Sequence, residues 1–318
     1  MLEHSPSAEG DDAGLTIGFD IGGTNLRAAV IDAAGEIVDS TSVPTATDAG
    51  QLEDDIVRCV EELSARHDIT AVGLALAGFL DPDCEVVRFA PHLPWRDAAV
   101  RETLSKRVDV PVRLEHDANS AAWGEWRFGA GRGAKEWVFF AVGTGIGATL
   151  FTEGRIYRGA FGTAPEFGHL VVNPGGRLCS CGKRGCLERY ASGTALPDTF
   201  AELRGKYETA LPNKPSGEDI TAAARQGDPL ATAVMEDFGQ WLGQGLSMVA
   251  DVLDPELIVI GGGVSQDADL FLDTARERMA QQIVGAGHRP LARVATAELG
   301  SAAGMIGVAD LARQEHRG

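Results

Sequence analysis

The pattern that most limits what this chain can fold into occurs twice. Leu15–Ile21 is an apolar run that opens into Gly22-Gly23-Thr24 and returns through the apolar residues 26–31. Trp137–Val142 repeats the arrangement. It opens into Gly143-Thr144-Gly145-Ile146-Gly147 and returns through 148–151, with 122 residues separating Leu15 from Trp137. Each copy reads as strand, tight glycine turn, strand. Only the pattern is shared, not the residues. The expectation is two related domains, each opening with a hairpin whose turn presents backbone N–H groups.

The rest of the chain fits two α/β layers. At 318 residues it is about two domains long. Leu52, Ile56, Cys59, Val60 and Leu63 recur at helical spacing and predict an amphipathic helix over 51–66. Residues 72–77 and 110–115 read as buried strands, and 119–129 as a helix. Such alternation argues for an α/β fold. Residues 204–218, rich in Lys, Pro, Asn and Gly, read as an exposed loop. Asp228-Pro229 then predicts an N-cap with Pro at the first helical position. It opens a long helix with Leu230, Val234, Phe238, Leu242, Leu246 and Val249 inward. A strand at 257–260 runs into Gly261-Gly262-Gly263, and a last helix covers about 303–314.

Charge and composition exclude several classes. There are 46 acidic against 28 basic residues, a net charge of −18, which opposes attraction to nucleic acid or to anionic membrane surfaces. Residues 1–14 are polar and acidic and carry no targeting signal. The longest apolar runs fall far short of the ~20 residues that span a bilayer. Of five cysteines, three lie within residues 179–186. An odd count so clustered is a poor disulfide framework, and a reducing cytoplasm is the expected location.

Three constellations carry chemistry. In Asp20-Ile21-Gly22-Gly23-Thr24, glycine allows close backbone approach and positive φ. The N–H groups and the Thr24 hydroxyl suit phosphate oxygens, and Asp20 suits Mg²⁺ held through water. An ordinary hairpin is the alternative. The second turn and the triple glycine point towards a nucleotide triphosphate between domains. No G-x-x-x-x-G-K-[ST] occurs, and glycine turns that lead into strands lack the helix a dinucleotide-binding fingerprint requires. Cys179, Cys181 and Cys186, with His169 ten residues before the first of them, match a closed Cys₃His structural zinc site. Three buried free cysteines are the alternative. Asp117 follows a strand and starts a helix, as a plain N-cap would. Glu166 and Glu188 bracket the cysteine cluster, and zinc would bring them to one wall, where carboxylates suit the vicinal hydroxyls of a sugar.

Taken in order, Asp20–Thr24, Glu115–Asn119 (EHDAN), Gly143–Gly147, Glu166–His169 (EFGH), CSCGKRGCLE at 179–188 and the strand ending in Gly263 resemble the ROK-family sugar kinases, whose name joins repressors, open reading frames and kinases. The similarity spans about 15–312 and is nearest to the family's ATP-dependent glucokinases. It implies an actin-like ATPase fold of two ribonuclease-H-like domains flanking a cleft. The smaller domain would hold 1–122 with the C-terminal helix at about 303–318. The larger would hold 123–302 with the zinc loop.

By the same resemblance Asp117 is the catalytic base. His116, Glu166, His169 and Glu188 stand at sugar-contacting positions, with His169 using one nitrogen for zinc and the other for a sugar hydroxyl. Nucleotide phosphates fall to 18–25, including Asp20, Gly22, Gly23, Thr24 and Asn25, and to 143–150, including Gly143, Thr144 and Gly145. Adenosine falls to Gly262 and Gly263 and to 300–304. The implied reaction is Mg²⁺-ATP-dependent phosphorylation of a hexose 6-hydroxyl, with glucose first. Mannose, an N-acetylhexosamine or a polyphosphate donor are the alternatives. A sugar-responsive regulator is a further reading, opposed by the charge, and family members are commonly homodimers or homotetramers. The sequence departs from the family at His116, where Asn is usual, at His92 (also commonly Asn) and at Ala148 (commonly Gly).

Overall fold

The computed structural model describes residues 14–317. The reading of the N-terminal segment as free of a targeting signal therefore falls, apart from Gly14, outside the described residues. The chain divides into two compact units, one running to Phe128 and resuming at Ala302, the other Gly129–Ser301.

In the first unit the elements are β1 (Leu15–Ile21), β2 (Asn25–Ile31), β3 (Ile37–Pro44), α1 (Ala49–Ser64), β4 (Ile69–Leu76), β5 (Phe79–Leu80), β6 (Val87–Phe89), β7 (Arg96–Ala98), α2 (Val100–Ser105), β8 (Val112–His116) and α3 (Asp117–Phe128). The second unit has β9 (Trp137–Val142), β10 (Ile146–Thr152), β11 (Arg155–Tyr157), α4 (Ala195–Leu203), α5 (Gly217–Arg225), α6 (Pro229–Leu253), β12 (Leu257–Gly261), α7 (Leu272–Gln282) and β13 (Arg293–Thr296). The last helix, α8 (Ala303–Arg317), returns to the first unit.

The repeated motif seeds two sheets of identical plan. The first has the order β3-β2-β1-β4-β8 and the second β11-β10-β9-β12-β13. In each, three antiparallel strands begin with the glycine-turned hairpin, and two parallel strands extend from its first strand. The parallel strands are apolar without alternation because both faces are covered, and all five residues of β12 are buried. β3 escapes a pattern search for the opposite reason. As an edge strand it alternates exposed and half-buried positions and carries Asp39, Ser40 and Ser42.

The helix boundaries follow from capping chemistry. Asp228 accepts the Ala231 N–H at 3.0 Å and starts α6, and all six inward positions expected of this helix are buried. The loop expected over 204–218 ends earlier. Ser216 and Asp219 form a reciprocal capping box that starts α5 at Gly217, so the Ser-x-x-Asp signal outweighs the local Gly and Pro content. Among the described residues no helix is long and apolar enough to cross a membrane.

The last helix is stitched into the first unit by buried charge. Asp310 accepts from Trp123 Nε1 at 2.8 Å and Arg127 Nε at 3.0 Å. Arg313 donates to Thr16 Oγ1 at 2.7 Å and to the Ile31 carbonyl at 2.8 Å. At Gly307 the contact with α3 is so close that a Cβ would lie 1.8 Å from the Ser120 carbonyl oxygen. Gly307→Ala is therefore expected to force α3 and α8 apart and to lower unfolding free energy by about 2–3 kcal/mol, measured by denaturant titration.

Candidate functional site

The first unit brings its predicted residues to the carboxyl ends of its strands. Asp20 lies near the end of β1 and pairs with Arg27 across the hairpin. Burial pushes the Asp20 carboxyl above the usual range, Arg27 opposes this, and the charge of Asp117 adds to the push. The two acids are thus in electrostatic reach of each other. Between β1 and β2 the turn closes with Gly22 N–H donating to the Asn25 carbonyl at 3.0 Å. The amides of Gly23 and Thr24 have no partner among the described residues. Neither Gly22 nor Gly23 lies in the left-handed region, so the expected positive φ is not what demands glycine here. Close approach is: a Cβ on Gly23 would lie 2.9 Å from the His92 Cβ.

Asp117 is the first residue of α3, directly after β8. A plain N-cap accepts from the amide two or three residues on, whereas Asp117 Oδ1 takes its immediate neighbour, the Ala118 N–H, at 2.7 Å. His116 Nδ1 lies 3.2 Å from the same amide and 3.2 Å from Asp117 Oδ1. The junction is anchored from below by Glu115, fully buried. Its carboxylate accepts the His116 N–H at 3.1 Å, the Asn119 amide at 3.0 Å and Arg113 at 3.2 Å. Glu115 thus clamps the chain on both sides of Asp117, a role the sequence reading missed. An acid inside an otherwise apolar strand was the available signal.

The second unit repeats the turn with different supports. Gly143 N–H donates to the Gly145 carbonyl at 2.9 Å, leaving the Thr144 and Gly145 amides without a partner among the described residues. Glu188 Oε2 accepts the Ile146 N–H at 3.0 Å and sits where a Cβ on Gly145 would be, 2.2 Å away. Neither Gly143 nor Gly145 is left-handed. Gly262 is, with φ +80° and a would-be Cβ 2.4 Å from the Val142 carbonyl. There the glycine requirement is both conformational and steric. Gly263 starts a 3₁₀ turn, and Gly263, Gly300 and Gly304 present open backbone with nothing close to a would-be Cβ.

The cysteine cluster assembles as expected. The ligand atoms of His169, Cys179, Cys181 and Cys186 all lie within 4.8 Å of one another. Cys181 Sγ is 3.6 Å from Cys186 Sγ, and Cys179 Sγ is 3.6 Å from His169 Nδ1. A tetrahedron with arms of about 2.3 Å has edges of about 3.8 Å, so these separations fit a zinc ion and exclude a disulfide. Burial pushes the Cys186 thiol up to about 12, an environment in which a thiolate calls for a positive partner. The knuckle is built from Gly182 N–H to the Cys179 carbonyl and Gly185 N–H to the Arg177 carbonyl. With Nδ1 turned to the sulfurs, His169 directs Nε2 towards Glu166 Oε2, 3.8 Å away. Cys186 leads directly into the 3₁₀ turn that carries Glu188. Within this unit the structure therefore gathers Glu166, His169, Glu188 and the Gly143–Gly145 turn around one knuckle.

Over almost its whole length the chain is similar to known proteins. The ROK family profile matches residues 16–315. A glucokinase of Streptomyces coelicolor is 41% identical over 312 residues, covering 95% of this chain and 98% of its own length. Among solved structures, a ROK family glucokinase from Streptomyces griseus in complex with glucose and AMPPNP superposes with a TM-score of 0.82 at 41% identity, over 95% of this chain and all of the other. The ROK hexokinase of Thermus thermophilus gives 0.79 at 30% identity, over 95% and 99% of the two chains. The shared architecture is the actin-like ATPase fold expected from the sequence.

The cluster predicts its own chemistry. Purified protein is expected to carry about one zinc per chain, and Cys181→Ser to lose it, as read by metal analysis. Zinc-free native protein, or full zinc content in Cys181→Ser, would refute the ligand set.

Proposed function

This chain belongs to the ROK family, and on that premise we propose that it transfers the γ-phosphoryl group of ATP to the 6-hydroxyl of glucose. The observation that carries the proposal is the carboxylate of Asp117 at the β8–α3 junction, in electrostatic reach of Asp20 beside the first glycine turn. A base there serves a hydroxyl that must meet a phosphate.

Asp117 orients the 6-hydroxyl and accepts its proton as the O6–phosphorus bond forms and the bond from phosphorus to the β–γ bridging oxygen breaks, with ADP leaving. Because the transition state of phosphoryl transfer is loose, positioning and charge neutralisation supply most of the acceleration. The unpartnered amides of Gly23, Thr24, Thr144 and Gly145 are the donors for phosphate oxygens, with the Thr24 hydroxyl and Asn25 beside them. Asp20, whose carboxyl burial pushes up, gains from the Mg²⁺ that accompanies ATP. Gly263, directly after the left-handed turn at Gly262, leaves backbone open to adenosine. Glu166, His169 Nε2 and Glu188 take the remaining sugar hydroxyls. His169, Cys179, Cys181 and Cys186 would hold zinc, which would supply structural rigidity to that wall.

His116 favours a second reading of sugar choice. Its ring, half-exposed beside Asp117, replaces a smaller amide, so mannose or an N-acetylhexosamine is the alternative acceptor. Measuring ADP release with Mg²⁺-ATP across glucose, mannose, N-acetylglucosamine, N-acetylmannosamine and fructose separates these. Turnover confined to glucose is the expected result, and no turnover with any sugar would defeat the kinase reading. Asp117→Asn is expected to lower kcat by about 10²–10⁴-fold while glucose binding, followed by calorimetry, is retained.

A further inference from the structure

We propose that Thr194 is a positioning residue for the nucleotide, holding the Gly143–Gly145 turn from 50 residues away through its hydroxyl. The inference rests on that turn receiving the phosphates of ATP, and it deepens the kinase reading by assigning what keeps those amides aimed.

The turn is too short to hold itself. Its one internal bond is Gly143 N–H to the Gly145 carbonyl. Beyond the β9–β10 pairing that flanks it, its other bonds come from the stretch that follows the cysteine knuckle. Glu188 Oε2 takes the Ile146 N–H at 3.0 Å. Gly193 N–H donates to the Gly143 carbonyl at 2.8 Å. Thr194 Oγ1 donates to the Thr144 carbonyl at 2.8 Å, across a sequence separation of 50. Three bonds therefore tie residues 143, 144 and 146, and the two amides left over are those of Thr144 and Gly145.

Thr194 also breaks a local rule to do this. It is the N-cap residue of α4, where a threonine hydroxyl ordinarily accepts from the first turn of its own helix. In this chain the cap makes no side-chain bond and its backbone is already helical, φ −74° and ψ −16°. The single hydroxyl proton goes to Thr144, so the buried Ser192 hydroxyl, 3.1 Å away, donates to Thr194 Oγ1. A helix cap forgone for a bond to a glycine turn is the kind of local conflict that marks a functional position. Aiming backbone donors before the ligand arrives is also what makes them effective.

Thr194→Val keeps the shape and removes the donor; Thr194→Ser keeps the donor. With the full-length protein, MgADP affinity is measured by calorimetry without sugar, alongside KM for ATP, KM for glucose and the thermal midpoint. Thr194→Val is expected to weaken MgADP binding and raise KM for ATP by about three- to tenfold. KM for glucose and the midpoint should stay at native values, and Thr194→Ser should restore the affinity. Native MgADP affinity in Thr194→Val overturns the proposal, as does a Thr194→Ser variant no better than valine or an equal rise in both KM values. If the native protein binds MgADP but phosphorylates no sugar, the sugar-kinase reading fails while the affinity comparison still decides the role of Thr194. If the native protein binds no MgADP, both fall together.

Discussion

A backbone amide needs a partner, and in each of the two units of this protein one short turn leaves that need unmet. In each hairpin turn the first amide closes the turn, through Gly22 to Asn25 in one sheet and Gly143 to Gly145 in the other. In each, the next two amides are left for something outside the described chain. An anion is the natural partner of two adjacent N–H groups. The same solution arises twice because the same five-stranded plan does, with a glycine turn joining the first two strands of each sheet.

The two turns are supported differently, and the difference explains their surroundings. The first is backed by its own sheet neighbours, with Thr45 reaching the Gly22 carbonyl at 2.7 Å and the Thr24 carbonyl accepting the Thr45 N–H at 3.0 Å. The second depends on a stretch of irregular backbone between a 3₁₀ turn and α4. Irregular backbone has few internal hydrogen bonds to resist motion. The His169, Cys179, Cys181 and Cys186 cluster immediately upstream, ending at Cys186 and able to hold a metal, would give that stretch a fixed origin. The knuckle, Glu188 and the glycine turn then form one mechanical unit.

At the β8–α3 junction, the decisive element is a charge that water cannot reach. Glu115 is fully buried and satisfied by Arg113, the His116 amide and the Asn119 side chain. A buried carboxylate so tied is costly to displace, so the start of α3 cannot drift. Asp117 and His116 follow directly from that fixed point.

Much of the fold was legible in the amino acids themselves. Buried strands β1, β9 and β12 and the helix α6 were readable because apolar continuity, helical period and the Asp228-Pro229 cap are local signals. The Cys179–Cys186 cysteine cluster and the two glycine turns were readable for the same reason, since each motif is contained in a few consecutive residues. The edge strand β3 was not legible, because an edge buries too little to impose a pattern. Helix α5 was obscured by the composition around its capping box. What only tertiary structure decided is which partner each polar group finds. What crowds the glycines at 23 and 145 is His92 and Glu188, which arrive from elsewhere, and not the turn's own dihedrals. Glu115 became a clamp and Thr194 a tether only once the chain had brought Asn119 and Thr144 within hydrogen-bond reach. Local chemistry sets where an element starts and which face it buries; a hydrogen bond across 50 residues depends on the whole path of the chain between its ends.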